Sequence, residues 1–247
     1  MKAAEACGCF PTGRHYPGIA HLIRVRAIGV AQEIDAEAAW RDCVVAFIDT
    51  ETTGRDPTKD RVIEVGIVLG QSGRIFERKA WLLDPEMPIP EESSNVHGIK
   101  DDDVRGKPTF AAAFPEIAAA LVGAIPAAYN AEFDKAFFRG ELSRLARVPD
   151  DLPPAFRREV EWLDPLVFAR ELYRDEQSRA LGDMAERLGI KLENAHRATD
   201  DAAAALEVLY ALAHDQRIPR GYAAVLQEQR RLGRMFDEAR RFWRKPS

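Results

Sequence analysis

Six consecutive apolar residues, 43–48, run straight into two carboxylates in the segment Phe47-Ile48-Asp49-Thr50-Glu51-Thr52-Thr53-Gly54. A short run rich in β-branched and aromatic side chains predicts a buried central strand. Side chains alternate along a strand, so Asp49 and Glu51 emerge on one face. Two like charges that close repel each other and raise a pKa, unless a cation neutralises them. Clustered carboxylate oxygens suit hard divalent ions such as Mg²⁺ or Mn²⁺. An isolated Asp-x-Glu is more often just a polar strand end. The weight therefore falls on what else the chain carries.

Downstream, apolar segments alternate in type. Residues 61–69 and 74–83 read as strands joined by a tight turn at Gln71-Ser72-Gly73. A loop rich in Pro and acid, 84–107, leads to a helix at 109–122 and a short strand at 124–129. A helix over 131–146, a break at 149–154 and a fifth strand at 160–163 follow. Helices near 165–173, 181–188 and 197–213 complete the pattern. The alternation predicts an α/β fold: a mixed five-stranded sheet flanked by helices. It divides the chain into an N-terminal extension (1–40), a core domain (41–215) and a basic amphipathic helix (216–247).

Two more acids are attached to apolar structure. In Tyr129-Asn130-Ala131-Glu132-Phe133-Asp134, Asp134 shares a helical stripe with Phe137, Phe138, Glu141 and Leu145. Glu132 lines up with Lys135, Arg139 and Ser143, a solvated face. In His196-Arg197-Ala198-Thr199-Asp200-Asp201, adjacent aspartates point about 100° apart on a helix, so one of them faces inward. Asp201 lies over Ala198, Ala205, Val208 and Leu212, the apolar stripe. Asp200 fits a helix N-terminal charge favoured by the dipole. His196, just before that helix, is a candidate general base. Asp164, before Pro165, is expected to cap the following helix.

These three motifs, in this order, resemble those of the DEDDh 3′–5′ exonucleases of the ribonuclease-H-like superfamily. The pattern is similar to the branch that includes the proofreading epsilon subunit of bacterial DNA polymerase III, over residues 44–213. The resemblance implies Asp49, Glu51, Asp134 and Asp201 as ligands of two divalent ions, Mg²⁺ or Mn²⁺, with Asp49 bridging both. It implies His196 as the base that takes the proton from the attacking water. It suggests that the backbone near Thr52 and Thr53 holds the terminal nucleotide, that Asn130 contacts the substrate, and that His97 and Ile99 lie beside the 3′-terminal base. For His97 a surface turn is the equal alternative. The implied reaction releases nucleoside 5′-monophosphates from 3′ ends of single-stranded or frayed DNA. RNA 3′ ends are the alternative substrate, as for ribonuclease T and oligoribonuclease. A catalytically silent module binding nucleic acid or a polymerase is a further alternative; such a module could lose any one of the five groups, and here all five are present. Tyr129 stands where relatives often carry His, and Lys100 where they often carry Thr; both bear on substrate preference.

Composition sets outer bounds. With 46% hydrophobic residues in 247, the chain can bury one substantial core plus appendages. No apolar run approaches the roughly 20 residues that span a bilayer, and no signal-peptide h-region opens the chain, so the expected location is the cytoplasm. Cys7, Cys9, His15 and His21 match no standard zinc spacing, and 8–14 lacks the Gly-Lys-Ser/Thr ending of a phosphate-binding loop. The formal charge of −5 is unevenly spread: residues 216–247 hold nine Arg or Lys against three acids. That tail is read as packing on the protein's own core. Its other readings are docking to a polymerase and tracking nucleic acid.

Overall fold

The computed structural model describes residues 28–192 and 197–243. His196 and the Cys7/Cys9/His15/His21 set lie outside the described residues.

The buried run becomes β1 (Val45–Thr52), flanked by antiparallel β2 (Val62–Gln71) and by β4 (Ile125–Ala127), which runs parallel to it. β3 (Arg74–Leu82) closes a sheet of order β3-β2-β1-β4. Ser72 and Gly73, with φ of 52° and 80°, make the tight turn between β2 and β3. Two consecutive positive φ values are what a two-residue hairpin between right-twisted strands requires. Alternation then splits β1 between two cores. Val45 and Phe47 enter one apolar cluster, Ala46 and Ile48 the other. Both faces are covered, which is why β1 and β2 read as continuous apolar runs. β3 alternates exposed and half-buried side chains, as an edge strand does.

The helices are α1 (Glu91–His97), α2 (Asp101–Val104), α3 (Phe110–Ala120), α4 (Glu132–Arg144), α5 (Pro165–Leu172), α6 (Leu181–Arg187), α7 (Ala198–Leu212) and α8 (Tyr222–Trp243). α5, α6, α7 and the first half of α8 cover the Val45/Phe47 face; α3 and α4 cover the other. The fold is α/β, a mixed sheet flanked by helices.

Three expectations need correction. The segment 160–163 is not a fifth strand; among the described residues the sheet has four, and Leu163 makes a single parallel bridge to Ala127. Proline chemistry accounts for this. The Leu163 N–H donates to the Pro126 carbonyl at 2.9 Å, and a parallel ladder would next need the residue-126 N–H to reach Glu161. Pro126 has none, and Pro165 starts α5 immediately afterwards. Second, the loop at 84–107 contains α1 and α2, each too short to show helical periodicity. Third, Lys135 is buried although its stripe was assigned to solvent, and that burial lowers its pKa.

α8 packs its apolar face inward. Tyr222, Val225, Leu226 and Leu232 are buried in the first core, while Met235 and Phe236 are only half-buried and residues 237–241 are exposed. Among the described residues no helix is long and apolar enough to cross a membrane.

Candidate active site

Strand parity places Asp49 and Glu51 on the face of Val45 and Phe47, the face that α7 covers. Across the β1–β2 ladder Asp49 sits opposite Gly66, and Glu51 opposite Glu64. Gly66 is there because the backbone of α7 lies directly on it. A Cβ at this position would come within 2.4 Å of the Ala198 carbonyl carbon and 2.5 Å of the Thr199 nitrogen. With no side chain between them, the first turn of α7 rests against β2 and brings Asp201 to the two β1 carboxylates. Asp49, Glu51 and Asp201 each present a ligand atom within 4.8 Å of the others. Asp200 instead reaches Arg78 on β3, at 3.5 Å.

Glu64 is a member of this site that sequence reasoning missed. It is only 1% exposed. One carboxylate oxygen takes a 2.7 Å ion pair from Arg197; the other accepts the Ala198 N–H at 3.2 Å. The capping position Arg197 supplies no side-chain acceptor to α7, so a strand residue satisfies this orphan donor instead. The available signal was a lone charge inside the apolar run Val62–Leu69, with Gly66 two residues on. We expect Glu64→Ala to destabilise the protein by about 1–3 kcal/mol through the unsatisfied N–H. It should also lower kcat, since Asp201 rides on that turn. A thermal melt and a rate measurement check both.

Asp134 approaches from the other face. Thr50 points opposite to Asp49, and its hydroxyl donates to Asp134 Oδ1 at 2.7 Å. β4 pairs only with Val45–Phe47, so the edge of β1 beyond Phe47 is free of β4 and the first turn of α4 lies beside it. α4 is aimed by Asp164, which accepts the N–H groups of Asn130 (3.0 Å) and Ala131 (3.1 Å) and also caps α5 through Leu166 N–H (2.9 Å). Gln229 of α8 braces the same corner: its Oε1 accepts the Asp164 N–H and its Nε2 donates to the Trp162 carbonyl, both at 2.8 Å.

The electrostatics follow from packing acids together. Burial first, then the charges of Asp134, Glu51 and Asp201, hold the Asp49 carboxyl well above the usual carboxylate range. Glu51 is pushed up to about 8, chiefly by burial and then by Asp201. Burial lifts Asp134 to about 7 against the Thr50 hydrogen bond, which favours its charged form. Such a set either holds protons or holds cations. All its donors are oxygens, the chemistry of a hard divalent ion.

The remaining candidates are distributed more loosely. Thr52 and Thr53 are buried and tie down the loop after β1. The Thr52 hydroxyl donates to the Gly54 carbonyl at 2.6 Å, and the Thr53 hydroxyl accepts the Arg61 N–H at 2.9 Å. The Thr53 N–H and carbonyl are already bonded, to Arg61 and Ser93. His97 is a buried helix-end residue rather than a surface turn, and its Nδ1 accepts the Ile99 N–H at 3.0 Å. Ile99 packs with Ile63, Ile89 and Val104. Asn130 holds a left-handed backbone, φ 67°, in the turn before α4. His196 directly precedes Arg197, whose guanidinium is fixed by Glu64.

Comparison with known proteins converges on one family. The Exonuclease family model (RNase_T) matches residues 46–209. The PolC-type DNA polymerase III of Clostridium perfringens is 34% identical over 173 residues, 70% of this chain and 11% of that protein. The epsilon subunit of DNA polymerase III from Treponema pallidum is 32% identical over 66% of this chain and 74% of its own. The chain thus spans about a tenth of the PolC-type relatives it matches. Among solved structures, exonuclease X with 5′-overhanging duplex DNA superposes with a TM-score of 0.57 at 21% identity, covering 73% of this chain and 97% of that one. Escherichia coli exonuclease I with a dT13 oligonucleotide gives 0.61 at 21% identity over 70% and 42%. With the three motifs, a flanked mixed sheet and a converging carboxylate cluster inside the matched span, this chain belongs to the exonuclease family and resembles its DNA polymerase III epsilon branch.

Proposed function

We propose that the protein is a metal-dependent 3′–5′ exonuclease that removes nucleoside 5′-monophosphates from single-stranded or frayed DNA ends. The observation that carries this reading is the convergence of Asp49, Glu51 and Asp201 within 4.8 Å, with Asp134 held beside them by Thr50. Asp49, Glu51, Asp134 and Asp201 would hold two divalent ions, Mg²⁺ or Mn²⁺. When bound, such ions polarise the scissile phosphate and ease ionisation of water. The chain's own part is to hold four carboxylates aimed at one place, by the β1 parity, the Gly66 contact and the Thr50 hydrogen bond. His196 would take the water proton as oxygen attacks phosphorus; the P–O3′ bond breaks and the departing 3′ oxygen takes a proton from solvent, leaving a 3′-hydroxyl and a nucleoside 5′-monophosphate. Asn130, at the mouth of α4, the His97–Ile99 corner and the backbone near Thr52 and Thr53 would contact the terminal nucleotide. Docking to a polymerase would use the part of α8 beyond Leu232, the part not buried in the core.

The direct test incubates the purified chain with Mg²⁺ or Mn²⁺ and 5′-labelled DNA and RNA of one sequence, beside Asp134→Ala and His196→Ala. We expect a ladder shortening from the 3′ end, faster on DNA and absent in Asp134→Ala. No shortening of either polymer with either ion would remove the proposal; faster RNA cleavage would reassign the substrate.

The cluster also makes a stability prediction. Glu51 titrates near 8 in the folded chain and near 4.5 ordinarily, so folding retains a proton. A raised carboxyl pKa contributes stability below the unfolded value and loses it as pH rises through the folded one. Without metal, the native chain should therefore lose stability relative to Glu51→Gln between pH 4.5 and about 8, by on the order of a few kcal/mol. Mg²⁺ should restore the native chain and not the variant. Melts in EDTA and in Mg²⁺ across that pH range read this out, and parallel curves for the two proteins would contradict it.

A further inference from the structure

A groove of about 1200 Å³ opens between α5, the 174–181 segment and the outer half of α8. It begins at Tyr129 and Asn130, the two residues that link β4 to α4. Four arginines line it, Arg170, Arg174, Arg179 and Arg240, and none of its lining residues is an Asp or Glu. In a chain of formal charge −5 that segregation is unusual. Between the arginines the wall is apolar, with Leu166 and Leu181 on one side and Met235 and Phe236 of α8 on the other.

The groove is held in shape by bonds of its own. The Tyr129 hydroxyl donates to the Arg179 carbonyl at 2.5 Å, and Arg179 Nε donates to the Tyr173 carbonyl at 3.0 Å. The Arg179 guanidinium also bonds the Arg174 carbonyl, which folds the 174–179 loop onto itself. Arg174, though paired with Glu171, keeps 61% of its side chain exposed; Arg240 keeps 55%, and its paired acid, Asp237, is 3.9 Å away. Both guanidiniums are open to a second anion. α8 lies outside the family-matched residues 46–209.

We infer that this groove carries the single strand upstream of the 3′ nucleotide, with the arginines on its phosphates and the Tyr129/Phe236/Met235 wall under its bases. The inference rests on the exonuclease reading of the carboxylate cluster. Arginine lining matches a polyanion, and base faces are free to meet apolar and aromatic side chains only in an unpaired strand. An acidic peptide would also satisfy arginines. The strand is favoured because the groove ends at Asn130, about one helical turn before Asp134, so a polymer lying in it would be led toward the carboxylate end of α4.

The test uses the full chain and an Arg174→Gln/Arg240→Gln double variant. Binding of a long labelled oligodeoxythymidylate is followed by anisotropy in EDTA over a range of salt. Losing two phosphate contacts should make the slope of log K against log salt shallower by about 1.4, at about 0.7 per phosphate of a single strand. In Mg²⁺, the KM for cleavage of that strand should rise about tenfold, with a penalty that shrinks for shorter oligomers and is least for a dinucleotide. Arg174→Lys/Arg240→Lys should restore the slope, which a folding defect would not allow. A long oligouridylate should show the same change in slope, because the contact is to the backbone. An unchanged slope and KM in the Gln variant would overturn the groove. So would displacement of the oligonucleotide from the native chain by a far tighter oligoglutamate peptide, which would mark a protein-docking site. A native chain that cleaves nothing yet shows the arginine-dependent slope would keep the groove and remove the exonuclease reading.

Discussion

Asp49→Asn should abolish phosphodiester cleavage and at the same time stabilise the metal-free fold. Asp49 sits at the centre of the cluster, with burial and the charges of Asp134, Glu51 and Asp201 all acting against its ionised form. An amide of the same shape removes one of those like charges while leaving β1 and its register intact. It also removes one of the four carboxylates proposed above to hold the divalent ions. We expect a loss of roughly three orders of magnitude in kcat, equivalent to about 4 kcal/mol of transition-state stabilisation. In EDTA the Tm should rise by about 2–4 °C for each kcal/mol of relieved repulsion. In Mg²⁺ that order should invert, because the native chain gains from binding an ion that the variant binds poorly. A variant that keeps activity, or one less stable than the native chain in EDTA, would contradict the assignment of Asp49.

Gly66→Ala should be nearly as damaging, although Gly66 carries no chemistry. The added methyl would stand 2.4 Å from the Ala198 carbonyl carbon, and the obstacle is helix backbone that cannot rotate away. α7 must shift, which costs about 1–3 kcal/mol as overpacking. The shift moves Asp201 away from Asp49 and Glu51, and a displacement near 1 Å in a catalytic group costs on the order of 10²-fold in rate. Gly182→Ala is the control: nothing lies within 4 Å of a Cβ there, and its place in α6 favours Ala by up to about 1 kcal/mol. If Gly66→Ala matched the native chain in kcat and Tm, the account of how α7 reaches the site would be wrong.

Much of this architecture is legible locally. The β1 run, the alternation that pairs Asp49 with Glu51, and the helical stripes that set Asp134 apart from Glu132 and Asp201 apart from Asp200 are all periodicities of neighbouring residues. Where the local signal was thin, reading failed. α1 and α2, of seven and four residues, are too short to display a period of 3.6. The segment at 160–163 has the composition of a strand but faces a proline at 126, and a missing N–H about 35 residues away leaves no mark on the segment itself. Lys135 was assigned to water by its stripe; its burial is decided by tertiary packing, which the stripe does not record.

Local patterning sets the inventory: which strand is central, which acids share a face, and which family's motifs they form. How that inventory converges is set by contacts between distant segments. Glu64 and Gly66 acquire their roles because antiparallel register sets them opposite Glu51 and Asp49, and because residue 198 lands on the same spot. The arginine groove likewise exists only once α8 folds back beside α5 and the loop at 174–181. The physical reason is one of range. Side-chain direction follows from the backbone period of a few residues, whereas close approach and shared burial depend on contacts between segments more than a hundred residues apart, as Glu64 and Ala198 are.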